Sequence, residues 1–223
     1  MSEIAIAVDG PGSAGKGTVA RGVARILGYQ YIDTGAMYRA VALRAMRAGV
    51  PWDAHAELAE LAGSLKFRFP FKGEVLRILV DGEDLTARIR TDEIGMGASM
   101  VSKVPEVRAA LLQLQRDLGS SGGVVMDGRD IGTVVLPDSQ LKIYLDADLD
   151  IRALRRYEEL VRRGQAVSLA NVRAALDKRD RQDIERDIAP LKAAEDAVIL
   201  DTTEMTIRQA IDRVVELAQD RGA

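Results

Sequence analysis

Hydrophobic residues along the chain occur either in short continuous runs or in longer stretches with helical spacing. The run from Ile4 to Val8 is apolar throughout and is followed by Asp9 and a Gly-Pro-Gly turn sequence. A strand that is apolar at every position is typical of a parallel sheet covered on both faces. From Gly15 to Leu27 the apolar residues recur every three or four positions, which predicts a helix, and Gly28 is a typical residue to end it.

The same alternation of strand and helix patterns continues to the end of the chain. We expect further strands at 29–33, 124–127, 141–145 and 197–200, and helices at 36–48, 91–101, 105–118, 149–163, 168–187 and 206–218. Pro105 at the start of one helix and Gly49 after another agree with these boundaries. Strands that alternate with helices predict an α/β fold with a doubly wound parallel five-stranded sheet and right-handed crossovers.

Between residues 64 and 90 the pattern changes to the alternation of half-buried strands. Leu65 to Phe69 alternate apolar and basic residues, and Glu74 to Val80 show a similar pattern. Asp81-Gly82 is a strong signal for a two-residue hairpin turn, and a third short strand can follow it. We therefore expect a small antiparallel β insert at about 64–90 within a single domain that covers 1–223.

Composition and charge narrow the class of protein. The 223 residues include no cysteine, so disulfides and thiolate metal sites are excluded. No apolar run approaches the roughly 18 residues of a membrane span, and the acidic start at Glu3 is unlike a signal peptide. The net charge of −3 is unlike the basic surplus of proteins that bind nucleic acid. We expect a cytoplasmic monomer with no nucleic-acid partner and no membrane partner.

The turn after the first predicted strand has the residues of a phosphate-binding loop. It reads Gly10, Pro11, Gly12, Ser13, Ala14, Gly15, Lys16, Gly17 and Thr18, and it follows the pattern G-x-x-x-x-G-K. Glycines let backbone N–H groups point at phosphate oxygens, the helix N-terminus adds its positive dipole, and Lys16 reaches the terminal phosphates of ATP. Gly17 stands where Ser or Thr usually follows the lysine, so Thr18 is the candidate hydroxyl for Mg²⁺. The alternative, a glycine-rich turn that binds nothing, does not account for Lys16.

Charged residues follow two other predicted strands at the same edge of the sheet, where open α/β folds bind ligands. Arg39 lies one turn into the helix after the second strand and can hold a phosphate, although a surface arginine is the alternative. Asp127 ends another strand and is placed like a carboxylate that holds Mg²⁺ directly or through water. Arg129 and Asp130 follow on the next turn, where a local Asp–Arg network is the alternative to a ligand site.

Two charged helices near the end of the chain form the last group of candidates. The helix at 149–163 carries several arginines, and an arginine-rich helical hairpin suits a lid that closes over a polyphosphate. Arg179, Asp183 and Arg186 are spaced by four and three residues, so they would share one helical face, which can read the edge of a base. The alternative for both helices is a solvated surface with pairs of opposite charge.

Several segments resemble those of the bacterial cytidylate kinases, a family of nucleoside monophosphate kinases, over essentially the whole chain. The segments are GPGSAGKGT, YIDTGAMYR, IRTDEIGMGASMVSKVPEVRAAL, MDGRDIGTVVLPDSQLKIYLDA and KRDRQDIERDIAPL. The first occurs in many kinases, whereas DGRDIGT and RDIAPL are far more specific. Thr34 stands where members of the family often have serine, so the hydroxyl is retained.

The resemblance implies transfer of the γ-phosphoryl group of ATP to CMP or dCMP, with Mg²⁺, in pyrimidine nucleotide metabolism. Residues 34–108 would form the monophosphate-binding region, and 150–187 the lid and hinge helices. Residues expected around the monophosphate nucleotide are Thr34, Arg39, Ser99, Arg108, Arg129, Asp130, Arg179, Asp183 and Arg186, of which Asp183 and Arg186 would lie nearest the base. Residues expected to act on the transferring group are Lys16, Arg129, Arg179 and the lid residues Arg152 and Arg156. Spacing alone would not single out Arg108.

Three other classes of protein are less consistent with the sequence. Another small-molecule kinase, of the adenylate or shikimate kinase type, would not need Asp183 and Arg186 after the lid or the DGRDIGT turn. A GTP-dependent switch would need an Asn-Lys-x-Asp motif, but the only asparagine, Asn171, is followed by Val172. An ATPase that binds nucleic acid would show an aromatic and basic patch, which the sequence lacks.

Overall fold

The structure, a computed structural model, describes residues 3–72 and 75–223. Contacts within the chain divide it into two compact units. The first unit runs up to Tyr31 and resumes at Gly119, and the second extends from Ile32 to Leu118. In the described part of the chain, we find no helix with the length and apolarity to cross a bilayer.

The secondary structure follows the alternation expected from the sequence. The strands are β1 (Ala5–Asp9), β2 (Gln30–Asp33), β3 (Phe67–Arg68), β4 (Phe71–Lys72), β5 (Val75–Leu76), β6 (Leu79–Val80), β7 (Glu83–Asp84), β8 (Val124–Asp127), β9 (Leu141–Asp146) and β10 (Val198–Asp201). The helices are α1 (Lys16–Leu27), α2 (Thr34–Ala48), α3 (His55–Ser64), α4 (Asp92–Val101), α5 (Pro105–Gly119), α6 (Leu149–Arg162), α7 (Leu169–Ile184) and α8 (Ile207–Gln219). A 3-10 turn lies at Arg88–Arg90 and a π-helical turn at Ile131–Val135.

A parallel five-stranded sheet has the strand order β10-β9-β1-β8-β2. β1 pairs in parallel with both β8 and β9, and β9 pairs in parallel with β10. Every residue of β1 and of β8 is buried, as the continuous apolar runs in the sequence indicated. The predicted doubly wound α/β fold is confirmed, and the carboxyl ends of its central strands meet at one edge of the sheet.

The second unit contains two small antiparallel sheets, one of β3, β6 and β7 and one of β4 and β5. Asp81 and Gly82, between β6 and β7, have φ angles of 53° and 83°. Positive φ at both residues is what a type I′ hairpin turn requires. The expected antiparallel insert and its Asp-Gly turn are therefore confirmed.

The insert differs from the expectation in having two sheets. The run predicted as one strand at 74–80 forms β5 and β6, and Glu74 lies outside the described residues. Pro70, which has no N–H to donate, separates β3 from β4. Arg77, between β5 and β6, donates its N–H to the Pro70 carbonyl at 2.8 Å. The strand pairing is thus interrupted where Pro70 lies opposite Arg77, and the insert forms two separate sheets.

Helices α6 and α7 form a hairpin within the first unit. Its core consists of Ala153, Leu160, Val172 and Leu176, with Leu149, Tyr157 and Val167 packed against it. Gly164, just after α6, has φ 77°, close to the predicted end of that helix. The expected arginine-rich helical hairpin is therefore present.

The end of α7 corrects one expectation. The helix stops at Ile184, before the boundary at 187 that the sequence suggested, so Arg186 lies beyond it. The inference that Arg186 shares a helical face with Arg179 and Asp183 is therefore wrong. Beyond the helix the chain turns back, and the N–H of Leu191 donates to the Asp183 carbonyl at 2.8 Å.

Candidate functional site

The loop between β1 and α1 lies close to β9, and three of its residues have positive φ angles. Gly10 has φ 145°, Ser13 has φ 60° and Gly15 has φ 98°. A Cβ added at Gly10 would lie 2.0 Å from the carbonyl oxygen of Leu145. Glycine is therefore needed at this position both for its backbone angle and for space. The predicted ATP-binding residues, Gly10 to Thr18, all lie in this loop and in the first turn of α1.

Lys16 begins α1 and is only 6% exposed. Its Nζ donates to the carbonyl oxygen of Pro11 at 2.7 Å, which folds the side chain back over the loop. Burial, with a smaller contribution from the charge of Arg129, lowers the pKa of Lys16 to about 7, although Asp127 acts in the opposite direction. Burial therefore disfavours the protonated amine, which an anion in the loop would stabilise.

The lowered pKa of Lys16 predicts that ATP binding takes up protons above pH 7. At pH 8 much of Lys16 is neutral in the free protein, whereas a bound polyphosphate favours the ammonium form and raises the pKa. A pKa that rises on binding means that protons are bound, so the affinity for ATP should fall as pH rises from about 7. Calorimetry at pH 8 in buffers of different ionisation enthalpy should show net proton uptake.

The control for this titration is Lys16→Met, studied at concentrations high enough to reach saturation. This variant keeps the length of the side chain but has no group that titrates near pH 7. We expect its proton uptake to be smaller than that of the wild type. Equal uptake in the two proteins would assign the proton to another group.

Asp9, at the end of β1, is buried in the first unit. It is not among the site residues predicted from the sequence. Its two carboxylate oxygens accept the N–H groups of Ile131 at 2.8 Å and Gly132 at 2.7 Å. Burial, with a smaller contribution from the charge of Asp130, raises the pKa of Asp9 to about 6 against the effect of these bonds. Asp9 therefore ties the turn after β8 to the end of β1. Its position as an acid directly after a fully apolar strand was the available signal.

The turn that Asp9 holds contains a π-helical segment that hydrophobic periodicity did not predict. The N–H of Val135 donates to the Asp130 carbonyl at 3.1 Å, and that of Leu136 to the Ile131 carbonyl at 2.7 Å. Both bonds span five residues, and such wide turns occur frequently at functional sites. This geometry shapes the segment that begins with Arg129 and Asp130.

Arg129 and Asp183 form an ion pair in the first unit. Arg129 Nε donates to Asp183 Oδ2 at 2.8 Å, and the two side chains are 20% and 13% exposed. Burial alone would raise the pKa of Asp183, but the charges of Arg129 and Arg179 outweigh it, so the pKa is lowered. Asp183 is therefore ionised at neutral pH and can accept a hydrogen bond from a ligand.

Three further predicted substrate residues lie in the same unit. Arg186 Nη2 is 3.4 Å from Asp130 Oδ1, and Arg186 Nε donates to the Ala189 carbonyl. Arg179 is half-buried on α7, and its positive charge affects the pKa of both Lys16 and Asp183. The first unit thus contains Lys16 and five predicted substrate residues that interact with one another or with Lys16: Arg129, Asp130, Arg179, Asp183 and Arg186.

Asp127, at the end of β8, has a buried carboxylate beside the start of α1. The hydroxyl of Tyr31 donates to its Oδ1 at 2.8 Å. A Cβ at Gly17 would lie 3.2 Å from that hydroxyl and 3.7 Å from Asp127 Oδ2. The absence of a side chain at Gly17 therefore leaves this carboxylate next to the loop, while the predicted hydroxyl ligand, Thr18, is exposed.

This arrangement fits Mg²⁺ that is bound together with a nucleotide. Among the described residues, no group of three or more His, Cys, Asp or Glu side chains could hold a metal ion. Mg²⁺ commonly uses one or two carboxylates and takes its other ligands from phosphates and water. The carboxylate of Asp127, beside the start of α1, suits this mode of binding.

Arg152, on α6, is buried and contacts the phosphate loop. Its Nε donates to the Ala147 carbonyl at 2.8 Å, and its Nη1 donates to the Gly12 carbonyl at 3.1 Å and to the carboxylate of Asp180. Asp180 was not predicted, because it lies in a run of charged residues that looked solvated. Arg156, the other predicted lid arginine, is partly exposed and pairs with Glu159 at 2.8 Å.

The second unit contains the predicted residues Thr34 and Arg39 at the N-terminus of α2. Asp33 caps this helix by accepting the N–H of Ala36 at 2.8 Å. Its carboxylate also pairs with Arg39 Nη2 at 2.9 Å. Thr34, the first residue of the helix, is buried. The guanidinium of Arg39 is therefore held at the turn that carries the Thr34 hydroxyl.

Arg108 and Ser99 are the remaining predicted residues of the second unit. Arg108 is buried on α5, and its guanidinium carbon lies 5.7 Å from the centre of the Tyr38 ring. This is a cation–π contact, and Arg108 Nη1 also approaches the Ser102 carbonyl at 3.4 Å. Ser99 is half-buried on α4. Burial distinguishes Arg108 from surface arginines, which spacing alone could not do.

Comparison with known proteins extends over nearly the whole chain. A family model described as cytidylate kinase matches residues 6–220. A cytidylate kinase of Citrifermentans bemidjiense is 47% identical over 220 residues, which cover 99% of this chain and 94% of that protein. A cytidylate kinase of Chromobacterium violaceum is 44% identical over 223 residues, 100% of this chain and 99% of that protein.

A solved structure supports the fold independently. The shikimate kinase of Acinetobacter baumannii in complex with shikimate has a TM-score of 0.50 at 17% identity, and the match covers 99% of this chain and 96% of that one. At this identity the likeness concerns the fold alone. The family model and the full-length relatives, together with the phosphate loop, show that the chain belongs to the cytidylate kinase family.

Proposed function

We propose that the chain is an ATP-dependent kinase of cytidine monophosphates, which converts ATP and CMP or dCMP to ADP and CDP or dCDP. The observation that carries the proposal is a phosphate loop with a buried lysine, Lys16, in a chain of the cytidylate kinase family. The attacking atom is an oxygen of the substrate's own phosphate, so the protein needs no nucleophile. Catalysis then consists of positioning two nucleotides and neutralising charge.

The loop from Gly10 to Thr18 would bind the phosphates of ATP. Its N–H groups and Lys16 hold the β- and γ-phosphates, and Mg²⁺ fits beside Asp127 with Thr18 as a second candidate, directly or through water. When bound, Mg²⁺ neutralises charge on the phosphate oxygens. Arg152 adds a positive charge beside the loop, where its Nη1 lies 3.1 Å from the Gly12 carbonyl.

We assign the monophosphate nucleotide to two groups of predicted residues, one group in each unit. In the second unit the assigned residues are Thr34, Arg39, Ser99 and Arg108. In the first unit they are Arg129, Asp130, Arg179, Asp183 and Arg186. Arg129, Arg179 and the lid arginine Arg156 are also assigned to the transferring phosphoryl group, because this group carries charge that guanidinium ions stabilise.

The choice of base follows from the charge of Asp183. Its pKa is lowered, so the carboxylate is an acceptor and can bind the N4 amino group of cytosine. Uracil has an oxygen at the same position, which the carboxylate would repel. Arg186 can donate to O2 or N3 of the ring. CMP and dCMP should therefore be better substrates than UMP.

The test is a coupled assay with ATP, Mg²⁺ and each of CMP, dCMP, UMP and AMP. A lost hydrogen bond to a charged group costs about 1.5–3 kcal/mol, so kcat/KM should favour CMP over UMP by roughly ten- to a hundredfold. Asp183→Asn should reduce this ratio, because the amide can either donate or accept. Asp177→Asn is the matched control, since Asp177 lies on the same helix and pairs with the exposed Arg181 at 2.9 Å. Equal efficiencies for CMP and UMP in the wild type would refute the role of Asp183.

Small-molecule nucleotides are the only partners that we assign to the protein. The net charge of −3 supports a chain that does not bind nucleic acid. No helix among the described residues could cross a membrane. We also propose that the protein is a cytoplasmic monomer that acts in pyrimidine nucleotide metabolism.

A further inference from the structure

Both backbone polar groups of Gly12, within the phosphate loop, are bonded to side chains of the α6–α7 hairpin. The Gly12 N–H donates to Asp180 Oδ1 at 3.1 Å, and the Gly12 carbonyl accepts from Arg152 Nη1 at 3.1 Å. Asp180 and Arg152 are also bonded to each other. These three residues form a closed triangle of contacts, which we call the Gly12 triad.

The charges of the Gly12 triad are shielded from solvent. The side chains of Arg152 and Asp180 are 9% and 10% exposed. Arg152 Nε is held separately by the Ala147 carbonyl at 2.8 Å, at the end of β9. Without Asp180, the guanidinium would remain buried with no opposite charge from the triad, and buried charges of this kind are unfavourable. The carboxylate of Asp180 is therefore the group in the triad that binds both the loop N–H and the arginine.

Asp180 occupies this place because it continues the buried stripe of α7. Val172, Leu176 and Asp180 follow one another at intervals of four residues, and all three are buried. A Cβ added at Gly12 would lie 3.2 Å from Leu176 Cδ2 and 3.5 Å from Asp180 Oδ1, so α7 packs against the loop at this residue. A buried carboxylate among apolar residues is unfavourable unless it is paired with an opposite charge and hydrogen-bonded.

We propose that Asp180 is a positioning residue for ATP, which holds the Gly12 peptide and the Arg152 guanidinium in the arrangement that the phosphate loop requires. Through Gly12 it sets the direction of the loop backbone. Through Arg152 it sets the position of a positive charge next to the loop. Because one carboxylate does both, the shape of the loop and the position of the arginine depend on the same residue. The effect on turnover rests on the proposed function, whereas the effect on ATP affinity requires only that the loop binds ATP.

The test compares two substitutions of Asp180 with a matched control. Asp180→Ala removes the two contacts that Asp180 makes within the triad and leaves the bond from Arg152 Nη1 to the Gly12 carbonyl. Asp180→Asn keeps an acceptor for the Gly12 N–H and loses the charge. The control is Asp177→Asn, whose carboxylate lies one turn earlier on α7 and pairs with the exposed Arg181. Asp180→Ala should weaken calorimetric ATP binding by about tenfold or more, and Asp180→Asn by a smaller factor. Asp177→Asn should bind ATP as the wild type does.

A purely structural role is distinguished by comparing the two substrates. Binding is measured at a temperature where every variant is folded, as judged from its thermal midpoint. The proposal expects KM for ATP to rise while KM for CMP changes by less than about twofold, because the triad bonds directly to the ATP loop at Gly12 and to none of the residues assigned to CMP. Parallel losses for ATP and CMP, or no loss for either, would overturn it. If Asp180→Ala does not fold, Asp180→Asn decides by the same comparison. A wild type that binds ATP but does not phosphorylate CMP would contradict the proposed function, and the ATP affinities would still decide the role of Asp180.

Discussion

Replacement of Lys16 by alanine is expected to reduce phosphoryl transfer by a factor on the order of 10² to 10³. The ammonium of Lys16 is the one lysine charge within the loop sequence, and it lies in a buried position where charge interacts strongly with phosphate. The fold should survive the change. Burial lowers the pKa of this lysine, so its charge does not stabilise the free protein.

The measurement is kcat/KM with saturating Mg²⁺ and CMP, together with the thermal midpoint of each protein. Lys66→Ala is the control, because Lys66 is an exposed lysine that precedes β3, outside the phosphate loop. We expect Lys66→Ala to keep both its activity and its midpoint. Turnover of Lys16→Ala close to that of the wild type would remove the basis for assigning ATP to this loop.

Gly10→Ala should destabilise the protein by about 3 kcal/mol or more, because a side chain there meets backbone rather than a movable side chain. The added Cβ would lie 2.0 Å from the Leu145 carbonyl oxygen and 3.0 Å from its carbon. The φ angle of 145° adds strain for any residue with a Cβ. Relief would require the loop or the inner strand β9 to move, and both position the site.

Thermal unfolding of Gly10→Ala should show a midpoint lower by roughly 6–12 °C, at about 2–4 °C per kcal/mol for a chain of this size. Gly28→Ala is the matched control: Gly28 also has a positive φ, 73°, but nothing lies within 4 Å of its added Cβ. That change should cost only about 1 kcal/mol. Equal losses of stability in the two variants would contradict the close contact between Gly10 and Leu145 of β9.

The sheet and the loop could be predicted from the sequence because their signals are local. The run from Ile4 to Val8 is apolar at every position, and β1 is buried at every position. Gly28 ends α1 with a left-handed φ, as a glycine after a helical pattern suggests. The Asp81-Gly82 pair likewise predicted a two-residue hairpin turn, and both residues have the positive φ angles of a type I′ turn. Each of these features depends on neighbours in sequence.

Asp9 and Asp180 could not be predicted because their roles depend on distant partners. Asp9 is bonded to the N–H groups of Ile131 and Gly132, and Asp180 to the N–H of Gly12. In the sequence, Asp180 lies in a run of charged residues that is typical of a solvated helix. Only the packing of α7 against the loop distinguishes it from its neighbours.

The end of α7 shows a further limit of helical periodicity. The spacing predicts one helical face for Asp183 and Arg186, but the helix ends between them at Ile184. Ala189 has φ 51°, and a left-handed angle at an alanine is not a pattern that sequence spacing reveals. The chain turn nevertheless places Arg186 Nη2 3.4 Å from Asp130 Oδ1. The residue belongs to the candidate site, although not through the face that the spacing suggested.

The central claim is that the chain moves a phosphoryl group from ATP to a cytidine monophosphate. The most direct test incubates the protein with Mg²⁺, CMP and ATP labelled in its γ-phosphate, and then separates the products. The account predicts labelled CDP in the same molar amount as ADP. Labelled inorganic phosphate without labelled CDP, or no consumption of ATP, would contradict it.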